Sequence, residues 1–409
     1  WAPEGQEKLL RSRASLLARA IQSWGSCDVS EMCGDAFEGT VGSMLGVTME
    51  PAATVTVASL SSALYMLPVY RAASPWRAGS MMLRTPDGKP WPYQPGSPLQ
   101  TTWIDIIYAR PGSGKSVLSN AINFALCLQG GLERLPRIAV IDIGPSSAGL
   151  VSLIKEALPA DQSYLAAYHR LQMTPEYSIN PFDTHLGCRY PFPQERAFLV
   201  NFVTLLVTPV GAQSPYDGVA DMVGMVVDEA YKGLADDGNP NIYTEGIDEE
   251  LDALIEQIGF VADEKTTWWE VTDALFSAGF ERQAMFAQRK AMPLVGDLTS
   301  VARIPAVVDL YGKITIPTGE SLINAFVRMI SGAVREYPIL SRYTRFDIGS
   351  SKIVSLDLDE VAKSGGDAAD RQTAVMYMLA RYVLAKDFYI NKENLSGLND
   401  SYKDHHMKI

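Results

Sequence analysis

A parallel α/β sheet flanked by helices, with an inserted all-helical segment, is the fold class that this 409-residue sequence predicts. Three observations point to it. A strand-like run, Trp103–Tyr108, enters a glycine-rich loop and an amphipathic helix, and a second apolar run, Ile138–Ile143, follows. Strand, helix, strand at this spacing is a βαβ unit, which brings parallel pairing and helices on the sheet faces. Late in the chain Lys352–Leu358 again has the character of a buried parallel strand, and the stretch between about 190 and 320 holds helical patterns and no convincing strand.

Taken in order, residues 6–24 place Leu9, Leu10, Leu16, Leu17, Ala20, Ile21 and Trp24 at helical spacing, interrupted by Arg13 and bounded by Gly25-Ser26. Such a helix has one apolar face and needs a surface to lie against. From 34 to 100 the chain is rich in Gly, Ser, Thr and Pro, with short apolar runs such as Ala52–Leu60, and Arg84-Thr85-Pro86-Asp87-Gly88 predicts a turn between two short strands. After the glycine loop, Val117, Leu118, Ala121, Ile122, Ala125 and Leu126 form a helical stripe stopped by Gly130-Gly131. Helices are expected at Val219–Tyr231, Asp248–Ile258, Trp268–Phe276 and Glu281–Ala291, and Gly365-Gly366-Asp367 opens a long helix through Ala374–Ala385. The expected division is an N-terminal helical segment (1–40), the first part of the α/β core (41–185), a helical insertion (186–325) and the second part of the core (326–409). No internal repeat is evident.

Composition narrows the function. Hydrophobic residues are 47% and charged residues 20% of the chain, which suits a large core, and the formal net charge of −12 argues against a protein whose main partner is nucleic acid. The four cysteines, Cys27, Cys33, Cys127 and Cys188, have poor zinc spacing and read as reduced thiols; His405 and His406 at the chain end add no metal centre. No run approaches the roughly 18 apolar residues of a membrane span. A chain that begins at Trp1 reads as part of a longer polypeptide.

The loop Ala109-Arg110-Pro111-Gly112-Ser113-Gly114-Lys115-Ser116 fits the phosphate-binding pattern Gly-x-x-x-x-Gly-Lys-Ser/Thr, with Ala109 in place of the first glycine. Alanine is compatible with the strand exit if its φ is negative. Gly112 and Gly114 remove side chains where backbone wraps phosphate, and the helix that follows adds its positive end. The nucleotide-binding candidates are Arg110 to Ser116 and Val117. Lys115 would bridge the β- and γ-phosphates and Ser116 would offer its hydroxyl to Mg²⁺, so ATP and Mg²⁺ are the expected ligands. The metal-holding acid is open between two strand ends, Asp142 and Asp357-Leu358-Asp359-Glu360; the second has an Asp-Glu pair, giving Asp359 as metal candidate and Glu360 as catalytic candidate beside Lys115. A helix cap and surface turn is the alternative for that pair.

Several stretches together resemble the large hexameric ATPases of type IV secretion and conjugation, within them the IcmB/DotO group of the Dot/Icm (type IVB) systems and its TraU-type conjugative counterparts. They are Leu67-Pro68 with Arg71, Ser74-Pro75-Trp76, Gly79–Thr85, the glycine loop, Ile141–Ser147, Asn180–Thr184 and Leu356–Ala362, spread over residues 50–390. The resemblance implies a RecA-like P-loop core with an inserted helical bundle. It also implies a hexamer or hexamer of dimers at the cytoplasmic face of a bacterial inner membrane, with other secretion ATPases and inner-membrane components as partners and exported protein or DNA as cargo. It implies further that the water-activating Asp-Glu pair lies on a strand beyond the helix at Ala374–Ala385, which would leave Asp357–Glu360 as a strand near the site. An arginine supplied by a neighbouring subunit is expected, with Arg342, Arg345, Arg371 and Arg381 as candidates. Trp268-Trp269 is either an interaction patch or helix packing. A DNA-translocating pump and a structural subunit that binds ATP without turnover are the competing functions.

Overall fold

In a computed structural model of the protein, residues 2–24, 29, 36–44, 57, 59–66 and 73–408 are described. Gly25-Ser26, Cys27, Cys33, residues 52–56 and 58 of the Ala52–Leu60 run, Leu67-Pro68 and Arg71 lie outside the described residues. The chain divides into two compact units, Trp1–Ala73 and Ser74–Ile409. The first holds helices α1 (Glu7–Trp24), α2 (Ala36–Ser43) and α3 (Leu60–Met66).

The second unit opens with a hairpin of β1 (Met81–Arg84) and β2 (Pro90–Tyr93), paired antiparallel with Met81 opposite Tyr93. Its turn is the expected one: the Thr85 amide donates to the Lys89 carbonyl at 3.0 Å. Prolines at 90 and 92 are tolerated because this two-stranded ribbon needs few amide donors.

The next expectation fails. Trp103–Tyr108 is not a strand but an irregular segment, with Ile106 81% and Tyr108 89% exposed. Extended backbone is stable as a strand only when its amides and carbonyls find a ladder. Among the described residues, no strand pairs with this segment. The helix after the loop forms as expected, as α4 (Lys115–Cys127).

The sheet consists of β3 (Ile138–Asp142), β4 (Ala166–Arg170) and β5 (Ile353–Asp357), all parallel, in the order β3-β5-β4. The strand nearest the C-terminus is therefore central. All five of its residues are buried, as its near-continuous apolar composition requires. The period of two sorts its side chains. Ile353 packs with Ile138, Ala166 and the α5 residues Leu150, Val151 and Ile154 (α5, Ala148–Ala157), joined by Phe124 and Leu126 of α4. Val354, Leu356 and Leu358 face the opposite way, into the large core shared with the helical layer. This is a mixed α/β architecture: a three-stranded parallel sheet with helices on both faces.

Between β4 and β5 the chain is helical: α6 (Pro193–Leu206), α7 (Val219–Leu234), α8 (Glu249–Gln257), α9 (Trp268–Ser277), α10 (Glu281–Ala291), α11 (Leu298–Val301), α12 (Pro305–Tyr311) and α13 (Leu322–Glu336). Caps set several starts. Thr267 and Glu270 form a capping box on α9, the Thr267 amide donating to Glu270 at 2.7 Å, and Asp248 and Ser321 cap α8 and α13. Trp268 and Trp269 are both buried, and the Trp269 indole N–H donates to the Leu234 carbonyl at 3.0 Å, so the pair is packing. After β5 come α14 (Asp367–Ala385) and α15 (Asp400–Lys408); Tyr382 of α14 stacks on Phe198 of α6 at 4.4 Å between ring centres.

Because Leu356 is fully buried at the centre of both sheet and main core, Leu356→Ala should lower unfolding free energy by about 2–5 kcal/mol. Urea midpoints at constant slope measure this, and a loss under about 1 kcal/mol would mean that the central strand is not the seam between the layers.

Candidate functional site

The glycine loop turns directly into α4. Gly112 and Gly114 have φ of 79° and 89°, in the left-handed region, and an added Cβ at either would meet nothing within 4 Å. Conformation, not space, is what demands glycine at both positions. Ser113 closes the turn, its amide donating to the Arg110 carbonyl at 3.2 Å with its hydroxyl on the same oxygen. No described residue other than glycine has positive φ, so Ala109 leaves the preceding segment without the strain that a left-handed alanine would bring. Lys115 and Ser116 form the first turn of α4; they, Arg110, Pro111 and Val117 are exposed. Gly114 caps this helix without a side-chain acceptor, so the first-turn amides are left for another acceptor.

The sheet contributes the other half. The last residues of the three strands, Asp142, Asp357 and Arg170, stand in register: Asp142 opposite Asp357 and Arg170 opposite Asp357. Counting back by twos along each strand leads to Val140, Ser355 and Tyr168, and Val140 and Tyr168 pack in the cluster that includes α4 and α5. All three ends therefore lie on the face that carries the loop's helix. A printed link ties the parts: the Asn120 amide group of α4 donates to the Ser146 carbonyl at 2.8 Å, and the Ser146 and Ser147 hydroxyls both donate to Asp142. At 1.5 Å per residue, Asn120 is about one turn along the helix from Ser116, on the same side.

Asp357 is fully buried and fully partnered. Its carboxylate accepts from the Tyr168 hydroxyl at 2.6 Å, from the backbone amides of Gly144 and Asp359 at 2.9 Å each, and from Arg170 Nε at 3.3 Å. Burial pushes its pKa up, but these donors outweigh burial and hold it below the usual carboxylate value. Tyr168 is shifted the other way, upward, by burial and by the Asp357 charge it faces. Arg170 also spans the exit turn of β5, with Nη1 3.4 Å from Glu360 and Nη2 3.8 Å from Asp359.

Each candidate from the sequence thus has a place. Lys115 and Ser116 stand at the helix start, and Asp359 and Glu360 are exposed on the β5 exit turn, ion-paired to Arg170. Arg170 and Tyr168 were not among the candidates. The signal was weak: β4 is five residues long and ends in Tyr168-His169-Arg170, which gives little apolar alternation to count. Of the four candidate arginines, Arg371 donates to the Leu206 carbonyl, while Arg342, Arg345 and Arg381 are exposed. Cys127 and Cys188 are free thiols, and among the described residues no group of three His, Cys, Asp or Glu side chains is arranged to hold a metal ion. No single described helix is long and apolar enough to cross a membrane.

No protein-family model matches the chain, and no curated protein matches it. Among solved structures it is similar to VirB4 of Thermoanaerobacter pseudethanolicus. The two share 14% identity at a TM-score of 0.43, over 76% of this chain and 65% of that one. The chain thus spans 65% of the length of that VirB4 chain. A likeness this distant assigns no role to any residue.

A carboxyl held below its ordinary value stabilises the folded chain when ionised. That contribution is fully present above the unfolded value of about 3.9 and is lost as pH falls through the lower folded value. Asp357→Asn should therefore be clearly less stable than the parent at pH 7, with the gap closing below about pH 4. Urea midpoints across pH test this; a gap that stays constant would show that the charge on Asp357 does not matter.

Proposed function

We propose that the chain is a nucleotide-binding ATPase subunit of a type IV secretion machine, in the type IVB branch, with the loop Ala109–Ser116 as its phosphate grip. The observation behind this is the loop itself: two left-handed glycines, an uncapped helix start, and Lys115 and Ser116 exposed in its first turn. Amides left open by that geometry suit the oxygens of a polyphosphate, and the Lys115 ammonium adds a positive point charge between β- and γ-phosphates.

Magnesium fits the donor chemistry on this face. Ser116, Asp142 and Asp359 offer hard oxygen donors and no thiol or imidazole joins them, so Ser116 and Asp359 are the residues that would hold it. When bound, the ion neutralises charge on the β- and γ-phosphoryl oxygens. In hydrolysis a water oxygen bonds to the γ-phosphorus, the bond to the β,γ-bridging oxygen breaks toward ADP, and a carboxylate takes the water proton. Glu360 is the carboxylate we assign to that step. Its ion pair with Arg170 opposes the assignment, because a guanidinium partner competes for the same oxygens.

That pairing favours a second reading, a subunit in which bound ATP fixes assembly geometry and turns over little. In either case the proposed setting is a homo-oligomer, a hexamer or hexamer of dimers, at the cytoplasmic face of the inner membrane, with other secretion ATPases and inner-membrane components as partners. Exported protein is the favoured cargo over DNA, given the net charge of −12.

Lys115→Ala should weaken binding of a fluorescent ATP analogue by at least about tenfold, the cost of a charge-assisted phosphate contact. Unchanged affinity would sink the phosphate-grip assignment. Glu360→Gln should leave that affinity within about twofold and reduce phosphate release by about a hundredfold or more, in the range of a general base. Turnover that survives Glu360→Gln places the base elsewhere, and binding without turnover in the parent chain supports the structural reading.

A further inference from the structure

We propose that Arg170 is the arginine that stabilises the transferring phosphoryl group, supplied by the chain itself rather than by a neighbouring subunit. This rests on the loop Ala109–Ser116 as phosphate grip and names a further residue of the same site. Arg170 ends β4 in register with Asp357, which is in turn in register with Asp142. Neighbouring strands lie about 4.8 Å apart, so the three strand ends span about 10 Å, on the face that carries α4. From β4 the guanidinium extends over the central strand to its exit turn, reaching Asp357, Asp359 and Glu360. Among the described residues it is the one cation that pairs with any of these three. Of the arginines expected to act from a neighbour, Arg371 is bound to the Leu206 carbonyl and Arg381 lines a cavity beside Phe198 and Tyr382.

The way the guanidinium is held leaves it able to change partners. Nε is 3.3 Å from Asp357, Nη1 is 3.4 Å from Glu360 and Nη2 is 3.8 Å from Asp359. Closed charge-assisted bonds measure about 2.7–2.9 Å, so the cation is spread over three carboxylates and committed to none. Only the Asp357 contact is buried; Glu360 and Asp359 are exposed, and exposed ion pairs hold weakly. The Arg170 side chain is itself 42% exposed. An anchored Nε with two open Nη groups is a planar fork that fits two oxygens of one phosphoryl group. In hydrolysis the water oxygen bonds to the γ-phosphorus, the bond to the β,γ-bridging oxygen breaks toward ADP, and Glu360 takes the water proton. Arg170 exchanges no proton, because a guanidinium stays charged. Its Nη groups leave Glu360 and Asp359 for two γ-phosphoryl oxygens, which frees the Glu360 oxygens for the water. Substrate thus relieves the ion pair that opposes Glu360 as the base.

Binding of ADP by the full chain with Mg²⁺, with and without aluminium fluoride as a mimic of the transferring phosphoryl group, tests this. The parent should bind ADP with aluminium fluoride at least about tenfold more tightly than ADP alone. Arg170→Gln should bind ADP within about threefold of the parent, lose that preference, and release phosphate about a thousandfold more slowly. Its amide can still donate to Asp357, and unchanged far-UV circular dichroism checks the fold. Arg170→Lys keeps the charge without the fork and should recover part of the preference, which gives a second variant should Arg170→Gln not fold. A preference retained in full by both variants overturns the proposal. So does turnover regained when Arg170→Gln chains are mixed with Lys115→Ala chains, because only an arginine acting across subunits can be complemented. A parent that binds ADP without preference overturns this proposal alone, whereas a parent that does not bind ADP removes the phosphate grip and this role with it.

Discussion

One buried carboxylate organises the carboxyl edge of the sheet. Asp357 ends the central strand with no exposed surface, and an ion there is tolerable only if its lone pairs are filled. Filling them requires the exit turn of β3 to present the Gly144 amide, β4 to present Tyr168 and Arg170, and its own exit turn to present the Asp359 amide. These four donors come from three separate stretches of chain. Their agreement on one acceptor fixes how the three strand ends and two turns sit, and with them the carboxylates at 359 and 360.

The central strand makes that arrangement possible from below. Its alternating side chains join two cores: Ile353 belongs to the cluster under α4 and α5, while Val354, Leu356 and Leu358 join the large core shared with the helical layer. The helices between β4 and β5 therefore cover one sheet face. Their own order comes from capped helix starts and from groups such as Arg189, which stacks 4.4 Å over Trp269 and pairs with Asp273 at 2.7 Å. The glycine loop is exposed on the opposite face. Exposed chemistry on a buried scaffold is the arrangement that lets a loop meet a ligand while its supports stay put.

Much of this was legible in the amino-acid sequence because it is local. The left-handed turns of the loop need glycine at 112 and 114, and the stripe Val117 to Leu126 has only one face to bury; both are short-range constraints that a sequence states directly. The same holds for β3, β5, the hairpin turn at Thr85–Lys89 and the four helices expected in the insertion. What a sequence cannot state is which strand pairs with which. Trp103–Tyr108 has the apolar pattern of a strand, yet pairing is a long-range event, and among the described residues no ladder takes it in. Arg170 escaped notice for the same reason. Nothing local distinguishes it from any other arginine, and its importance comes from lying in register beside Asp357, far away in the chain. Sequence determined the loop, the helix behind it and the amphipathic face of α1, because each depends on neighbours a few residues apart. Tertiary structure alone decided that β5 is central, that Asp357 is the buried hub, and that Arg170 holds Asp359 and Glu360, because those depend on which distant segments share one ladder and one desolvated site.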